Sequence, residues 1–225
     1  GYHGWHDWYL SANLSEKKGL DNHLMPGLSP NGVPQSLKNS TFSFRYNDVN
    51  ALKNLVTEKN IGIVKMEVSR TEEPNIEFLR EVRQICDKNS LILIFDECTS
   101  GFRSSFGGLH KTCEIYPDIA IFGKALGNGY PITAVLGKKD IMQSAQSTFI
   151  SSTFWTERIG YVAALKTLDE MEKIKSWDII SAKGNLIRKK WILLADKYDI
   201  KISTFGISAL PGINFLSKNN LAYKT

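Results

Sequence analysis

The sequence predicts an α/β fold built on a mostly parallel sheet flanked by helices, and three observations carry that prediction. Two short runs, Leu91-Ile92-Leu93-Ile94-Phe95 and Ile119-Ala120-Ile121-Phe122, are apolar without polar alternation, as strands covered on both faces must be. Upstream, Ile61-Gly62-Ile63-Val64-Lys65-Met66 also reads as a strand. Between it and the first run, Ile76, Leu79, Val82 and Cys86 recur at helical spacing. Strand, helix, strand is the repeating unit of a parallel sheet.

The elements follow in order. The first forty-odd residues are rich in Gly, Pro, Asn and aromatic residues and read as a long irregular loop, functional or packed against a partner. Residues 48–56 have a helical pattern, and Pro74 suits the first turn of the next helix. Ile132-Thr133-Ala134-Val135-Leu136 continues the sheet. The chain then turns helical, with Ile159, Val162, Ala163, Leu165, Leu168 and Met171 as one face and Ile179, Ile180, Leu186, Ile187, Trp191 and Leu194 as another. Residues 200–203 and 212–216 suggest strands of a second, smaller unit. The expected organisation is a large domain over 1–175 and the start of a small C-terminal α+β domain over 176–225. A chain that opens at Gly1 without an initiator Met reads as a segment of something longer.

Composition narrows the function. With 225 residues, 42% hydrophobic and 23% charged, the chain has the size and balance of one large soluble domain, or one and a fraction. Its three cysteines, Cys86, Cys98 and Cys113, form no CxxC pair, which favours a reducing, cytoplasmic setting over a disulfide or zinc framework. No apolar stretch is long enough to cross a bilayer. The net charge of +5 comes from lysines spread along the chain, which argues against nucleic acid and suits an anionic small molecule. Pairs such as Lys138-Lys139 and Lys189-Lys190 read as solvated faces, and Asn13-Leu14-Ser15 and Asn39-Ser40-Thr41 as chance matches to a glycosylation triplet.

Ligands of open parallel sheets bind beyond the carboxyl ends of the strands. Asp96 and Glu97 directly follow one apolar run, and Lys124 follows another, 28 residues after Asp96. That is enough chain for a crossover returning to the same sheet edge, so an acid and an amine meet there. Such a pair serves a lysine that forms a Schiff base with an aldehyde cofactor while a carboxylate keeps the cofactor's pyridine nitrogen protonated. On spacing alone another reading stays open, in which Asp96 caps a loop or pairs with Arg103 and Lys124 is an exposed loop lysine.

The residues themselves go further. Leu93-Ile94-Phe95-Asp96-Glu97, Thr99-Ser100-Gly101-Phe102-Arg103, Pro117-Asp118-Ile119 and Gly123-Lys124-Ala125-Leu126-Gly127-Asn128-Gly129-Tyr130-Pro131 resemble the signature of class III pyridoxal-phosphate aminotransferases, nearest to their glutamate-1-semialdehyde aminomutase-like branch. The resemblance implies the aspartate-aminotransferase-like fold type I and pyridoxal 5'-phosphate as cofactor. It makes Lys124 the Schiff-base lysine and Asp96 the partner of the pyridine nitrogen. It also implies that Tyr2, in Tyr2-His3-Gly4, stacks on the cofactor, that Cys98 stands against the ring as a small hydrophobe, and that Thr153 reaches the cofactor phosphate of the neighbouring subunit. Glu67 matches a Glu near the substrate end, and Arg158 is a candidate for a substrate carboxylate. Structural readings remain beside these: a core aromatic for Tyr2, a salt bridge with Arg70 for Glu67, a helix N-cap for Thr153, an i,i+4 or capping role for Arg158.

The resemblance further implies a homodimer with a shared site. It places the family's main phosphate-gripping loop upstream of Tyr2, so that this stretch alone holds the cofactor weakly. Where the family continues with a Gly- and Asn-Pro-containing turn after the Thr, this chain has Trp155-Thr156-Glu157-Arg158. Other motifs fare worse. His3 and His6-Asp7 lack a third metal ligand, Gly127-Asn128-Gly129 lacks the third glycine of a dinucleotide fingerprint, Gly137-Lys138-Lys139 is not a P-loop, and no Gly-x-Ser-x-Gly elbow occurs. The expected activity is transfer of an amino group between small molecules or within one. The alternative is a non-catalytic relative or remnant that only binds a partner subunit.

Overall fold

The computed structural model describes residues 2–4, 7–16, 19–21, 27–69 and 74–216. The main sheet has four strands in the order β1-β2-β3-β4, namely β1 (Ile63–Met66), β2 (Ile92–Asp96), β3 (Ile119–Phe122) and β4 (Ala134–Gly137). The chain divides into two compact units, Gly1–Met66 with Asn75–Leu93, and Glu67–Pro74 with Ile94–Thr225.

In the first unit, the segment expected to be a long irregular loop contains two helical turns, α1 (Asp7–Leu10) and α2 (Ala12–Ser15). Tyr9, Ala12 and Leu20 bury together there, with Trp8, Leu10 and Leu28 alongside. Single turns are too short for a hydrophobic period to register in sequence, and this one is pinned by side chains instead. The Asn13 amide donates to the Leu28 carbonyl at 2.7 Å and accepts the Leu20 N–H at 2.9 Å. Helix α3 (Val49–Glu58) starts where the Asp48 carboxylate accepts the Ala51 N–H at 2.9 Å. Helix α4 (Ile76–Lys88) is capped by the Asn75 side chain, which accepts the Phe78 N–H at 3.2 Å. Pro74 therefore stands before the cap rather than in the first turn, because an Asn side chain can satisfy an orphan N–H and a proline cannot. Phe78, Leu79, Val82 and Cys86 form the buried stripe of α4, while Ile76 faces outward.

In the second unit, β2 and β3 pair in parallel, with Phe95 opposite Ala120 and Asp96 opposite Ile121. β3 and β4 pair antiparallel, with Ile119 opposite Gly137 and Phe122 opposite Ala134, so β4 runs against β2 and β3. The chain reaches β3 through the single turn α5 (His110–Cys113). One face of β2 is fully buried at Leu93 and Phe95, and the other is half-covered at Ile92 and Ile94. Phe102, Ala120, Phe122, Leu126 and Ala164 form a buried cluster, joined by Leu168 and Met171. That cluster seats α7 (Ile159–Ile174) through its Ala164, Leu168 and Met171 side. Of the other expected face residues of α7, Ile159, Val162 and Leu165 are exposed and Ala163 is half-buried.

After β4, helix α6 (Lys139–Gln143) follows a lysine that is not simply solvated. Lys138 Nζ lies 2.6 Å from the nearly buried Asp118 carboxylate. Helix α8 (Ser176–Lys197) follows α7 across Lys175, which adopts φ 49°. It runs to the hairpin of β5 (Ile202–Phe205) and β6 (Gly212–Phe215). Gly184 of α8 lies so close to the Ser208 carbonyl that any side chain would collide with it, and the Arg188 guanidinium donates to the carbonyls of Phe205 and Gly206. Apart from Gly184 and Ala195, the helix is not buried, and its apolar residues Leu186, Ile187 and Leu194 are exposed.

Candidate active site

Because β2 and β3 are parallel neighbours, their carboxyl ends open on the same sheet edge. Asp96 is the last residue of β2, buried to 6% exposure, with a carboxylate oxygen accepting the Cys98 N–H at 3.2 Å. Lys124 comes two residues after the end of β3, as the first residue of a short 3₁₀ turn, Lys124–Leu126. Asp96 pairs with Ile121, three residues before Lys124, and adjacent strands lie about 4.8 Å apart. The register thus sets Asp96 and the turn that carries Lys124 at the same end of the sheet.

The backbone at the lysine is unusual. Lys124 has φ 42°, the left-handed region, which costs a non-glycine residue roughly 1–2 kcal/mol. Gly123 before it is extended and buried, and a Cβ there would come to 3.3 Å from Cys98 Sγ and 3.3 Å from Thr133 Cγ2. A larger residue at 123 would crowd the gap that β2's exit loop and the lysine turn share. The Lys124 amine itself is exposed and donates to the Thr99 hydroxyl at 2.8 Å. It opens on a cleft of about 1160 Å³ whose lining includes Arg103, Tyr130, Lys166 and Glu170. Burial holds the Arg103 guanidinium below the usual arginine value. The Tyr130 phenol is pushed up, chiefly by desolvation and then by the charge of Glu157, whose carboxylate accepts its O–H at 3.3 Å.

The remaining candidates lie in various places. Cys98 is half-buried beside Gly123. Glu67 is buried directly after β1. Tyr2 belongs to the first unit, 40% exposed, with its ring edge-on to Tyr9 at 6.4 Å. Thr153 is exposed and precedes α7 by six residues (159 minus 153), so it is not that helix's N-cap. Arg158 holds the N-cap position but makes no side-chain cap bond. Glu157 does the capping, accepting the Ile159 N–H at 2.8 Å. Arg70, the suggested partner of Glu67, and His6 lie outside the described residues.

Two contributions escaped the sequence reading. Thr99 was legible only as part of a motif, since nothing in the order of residues aims its hydroxyl at an amine 25 positions away. Glu97 directly follows Asp96, and the alternation of strand side chains sends consecutive residues to opposite faces. Its partners Ser100 and His110 arise from the folding of the loop that follows.

The chain belongs to the class-III aminotransferase family, whose sequence profile matches residues 1–221. It is 33% identical to a 3-aminobutyryl-CoA aminotransferase of Cloacimonas acidaminovorans (strain Evry), across 100% of this chain and 52% of that protein. It is 30% identical to a glutamate-1-semialdehyde 2,1-aminomutase of Methanocaldococcus jannaschii, across 99% of this chain and 53% of the relative. The chain therefore spans about half the length of the curated relatives it matches. Its fold is similar to that of the PLP internal aldimine form of the FumI protein of Sphingopyxis sp. MTA144, with a TM-score of 0.79 at 23% identity over 92% of this chain and 56% of that one.

Proposed function

We propose that this chain is the catalytic core of a pyridoxal-phosphate enzyme that moves an amino group, either between two small molecules or within one. The observation that carries the proposal is the exposed Lys124 amine just past β3, on the same sheet edge as the buried Asp96 carboxylate that ends the parallel strand β2. Family membership and the aminotransferase and aminomutase names of the relatives support the same chemistry. The donor set fits the cofactor: an accessible primary amine, a buried carboxylate on the neighbouring strand, and a glycine at 123 whose missing side chain leaves room beside Cys98 and Thr133.

When bound, pyridoxal phosphate supplies an aldehyde that condenses with amines and a ring that accepts electrons. Lys124 Nζ would hold that aldehyde and give way to the substrate amine. The freed Nζ would then take the proton from the amino-bearing carbon and return it, as base and acid in turn. Asp96 would hold the proton on the pyridine nitrogen. Tyr2 and Cys98 would pack against the ring, and Glu67 and Arg158 would face the substrate.

Thr153 would bind the phosphate of a neighbouring subunit in a homodimer, a role supported by the exposure of the 149–155 segment. The proposed boundary between a large domain over 1–175 and a small one over 176–225 would lie at the turn between α7 and α8, inside the second compact unit. No helix among the described residues is long and apolar enough to cross a membrane. Cysteine usage alone supports the proposed cytoplasmic setting.

The test is turnover by the full-length protein with a panel of amino donors. Lys124→Ala is expected to lose about 10²–10⁴-fold or more in kcat. Intact turnover in that variant overturns the proposal.

A further inference from the structure

Glu97 is a fully buried carboxylate, 0% exposed, that no step above uses. A buried charge without hydrogen bonds is strongly disfavoured, and Glu97 is supplied with them. One oxygen accepts from the Ser100 hydroxyl. The other accepts the His110 backbone N–H at 2.9 Å and meets His110 Nδ1 at 2.8 Å. The His110 ring is fixed in turn by Phe95 and Tyr116, each with its centroid 6.0 Å away. Gly108 makes room for the contact, since a Cβ there would collide with the His110 ring and lie 2.9 Å from the Glu97 carboxylate. The carboxylate sits in the middle, with serine and histidine both bound to it and not to each other, so the trio is no nucleophile-and-base relay.

Its effect is mechanical. The bonds tie residue 97 to residues 100 and 110, closing both ends of the loop that leaves β2. The backbone bonds of Gly101 N–H to the Glu97 carbonyl, 2.8 Å, and of Phe102 N–H to the Gly107 carbonyl, 2.7 Å, complete the fold of that loop. Thr99 lies between the anchored positions and carries the hydroxyl that receives the Lys124 amine at 2.8 Å. We propose that Glu97, bound to Ser100 and His110, is a positioning residue that sets the Thr99 hydroxyl against the Lys124 amine and so aims that amine. The inference rests on the reading of Lys124 as the working amine.

The test needs neither cofactor nor turnover. Full-length protein stripped of cofactor is labelled with trace acetic anhydride, and the labelling of Lys124 relative to Lys138 is read by peptide mass spectrometry. Thr99→Val is expected to change the ratio about fivefold, the size of one hydrogen bond, while Thr99→Ser retains the wild-type ratio. Glu97→Gln is expected to shift the ratio in the same direction, and to shift it no further in the Thr99→Val background, because its effect passes through the hydroxyl. Ser100→Ala, a milder loss of one donor, decides the matter if Glu97→Gln does not fold. The proposal is overturned if the folded clamp variants keep the wild-type ratio, with only their melting temperature lowered. It is equally overturned if Glu97→Gln changes the ratio by the same factor with or without the Thr99 hydroxyl. Loss of turnover in Lys124→Ala is a separate measurement, so failure of the functional reading and failure of the clamp are read apart.

Discussion

At position 123 the side chain is a single hydrogen atom, and its surroundings leave little room for more. A methyl group there would press on Cys98 and Thr133 at 3.3 Å, closer than nine in ten real contacts of this kind. Gly123→Ala should therefore push Cys98 or the lysine turn aside, costing about 1–3 kcal/mol of stability as overpacking does. Denaturant melts of the variant check the cost, and an unchanged midpoint contradicts it. Tyr130 offers a titration at the same scale. Its folded value lies above that of free tyrosine, so the neutral phenol is the form the fold favours. The resulting stabilisation is present below pH 10 and is lost as pH rises through the folded value. In Glu157→Gln the Coulombic part disappears and the larger desolvation part stays. The Tyr130 ring resonances should then titrate lower than in wild type and still above free tyrosine. A value unmoved by the substitution would show that Glu157 plays no part.

Elements were legible wherever period and length agreed. Helix α4 was readable because four buried residues recur over about two and a half turns, whereas α1 and α2 were not, being one turn each. The start of α4 lies one residue past Asn75, whose side chain caps it, so Pro74 precedes the cap instead of sitting in the first turn. Asn75→Ala should cost about 1 kcal/mol, while Pro74→Ala should cost less; thermal unfolding of the two variants distinguishes cap from proline. The direction of β4 was not legible, since an apolar run looks the same in either sense. The split of α7 into an inward side of Ala164, Leu168 and Met171 and an outward side holding Ile159, Val162 and Leu165 was equally hidden. Helical spacing marked these residues as one face, and the core covers only part of them.

For the whole molecule, the sheet edge that joins Asp96 to Lys124 could be read from two apolar runs and the rule for parallel strands, and the motif residues sharpened it to a family. What stayed out of reach was everything set by loop closure: the Thr99 contact, the buried Glu97 carboxylate and the left-handed backbone of Lys124. The same second unit exposes Phe149 almost completely at 98%, with Phe154 and Trp155 nearby. The proposed homodimer predicts that the full-length protein sediments with the mass of two chains; a single-chain mass at micromolar concentration contradicts it. The central claim, that Lys124 is the amine that carries the cofactor, has a more direct measurement. Full-length protein is incubated with pyridoxal phosphate, reduced with borohydride and mapped by peptide mass spectrometry. The predicted result is one phosphopyridoxyl group on the peptide containing Lys124, absent in Lys124→Ala. Label spread over other lysines, with Lys124 unmodified, would contradict it.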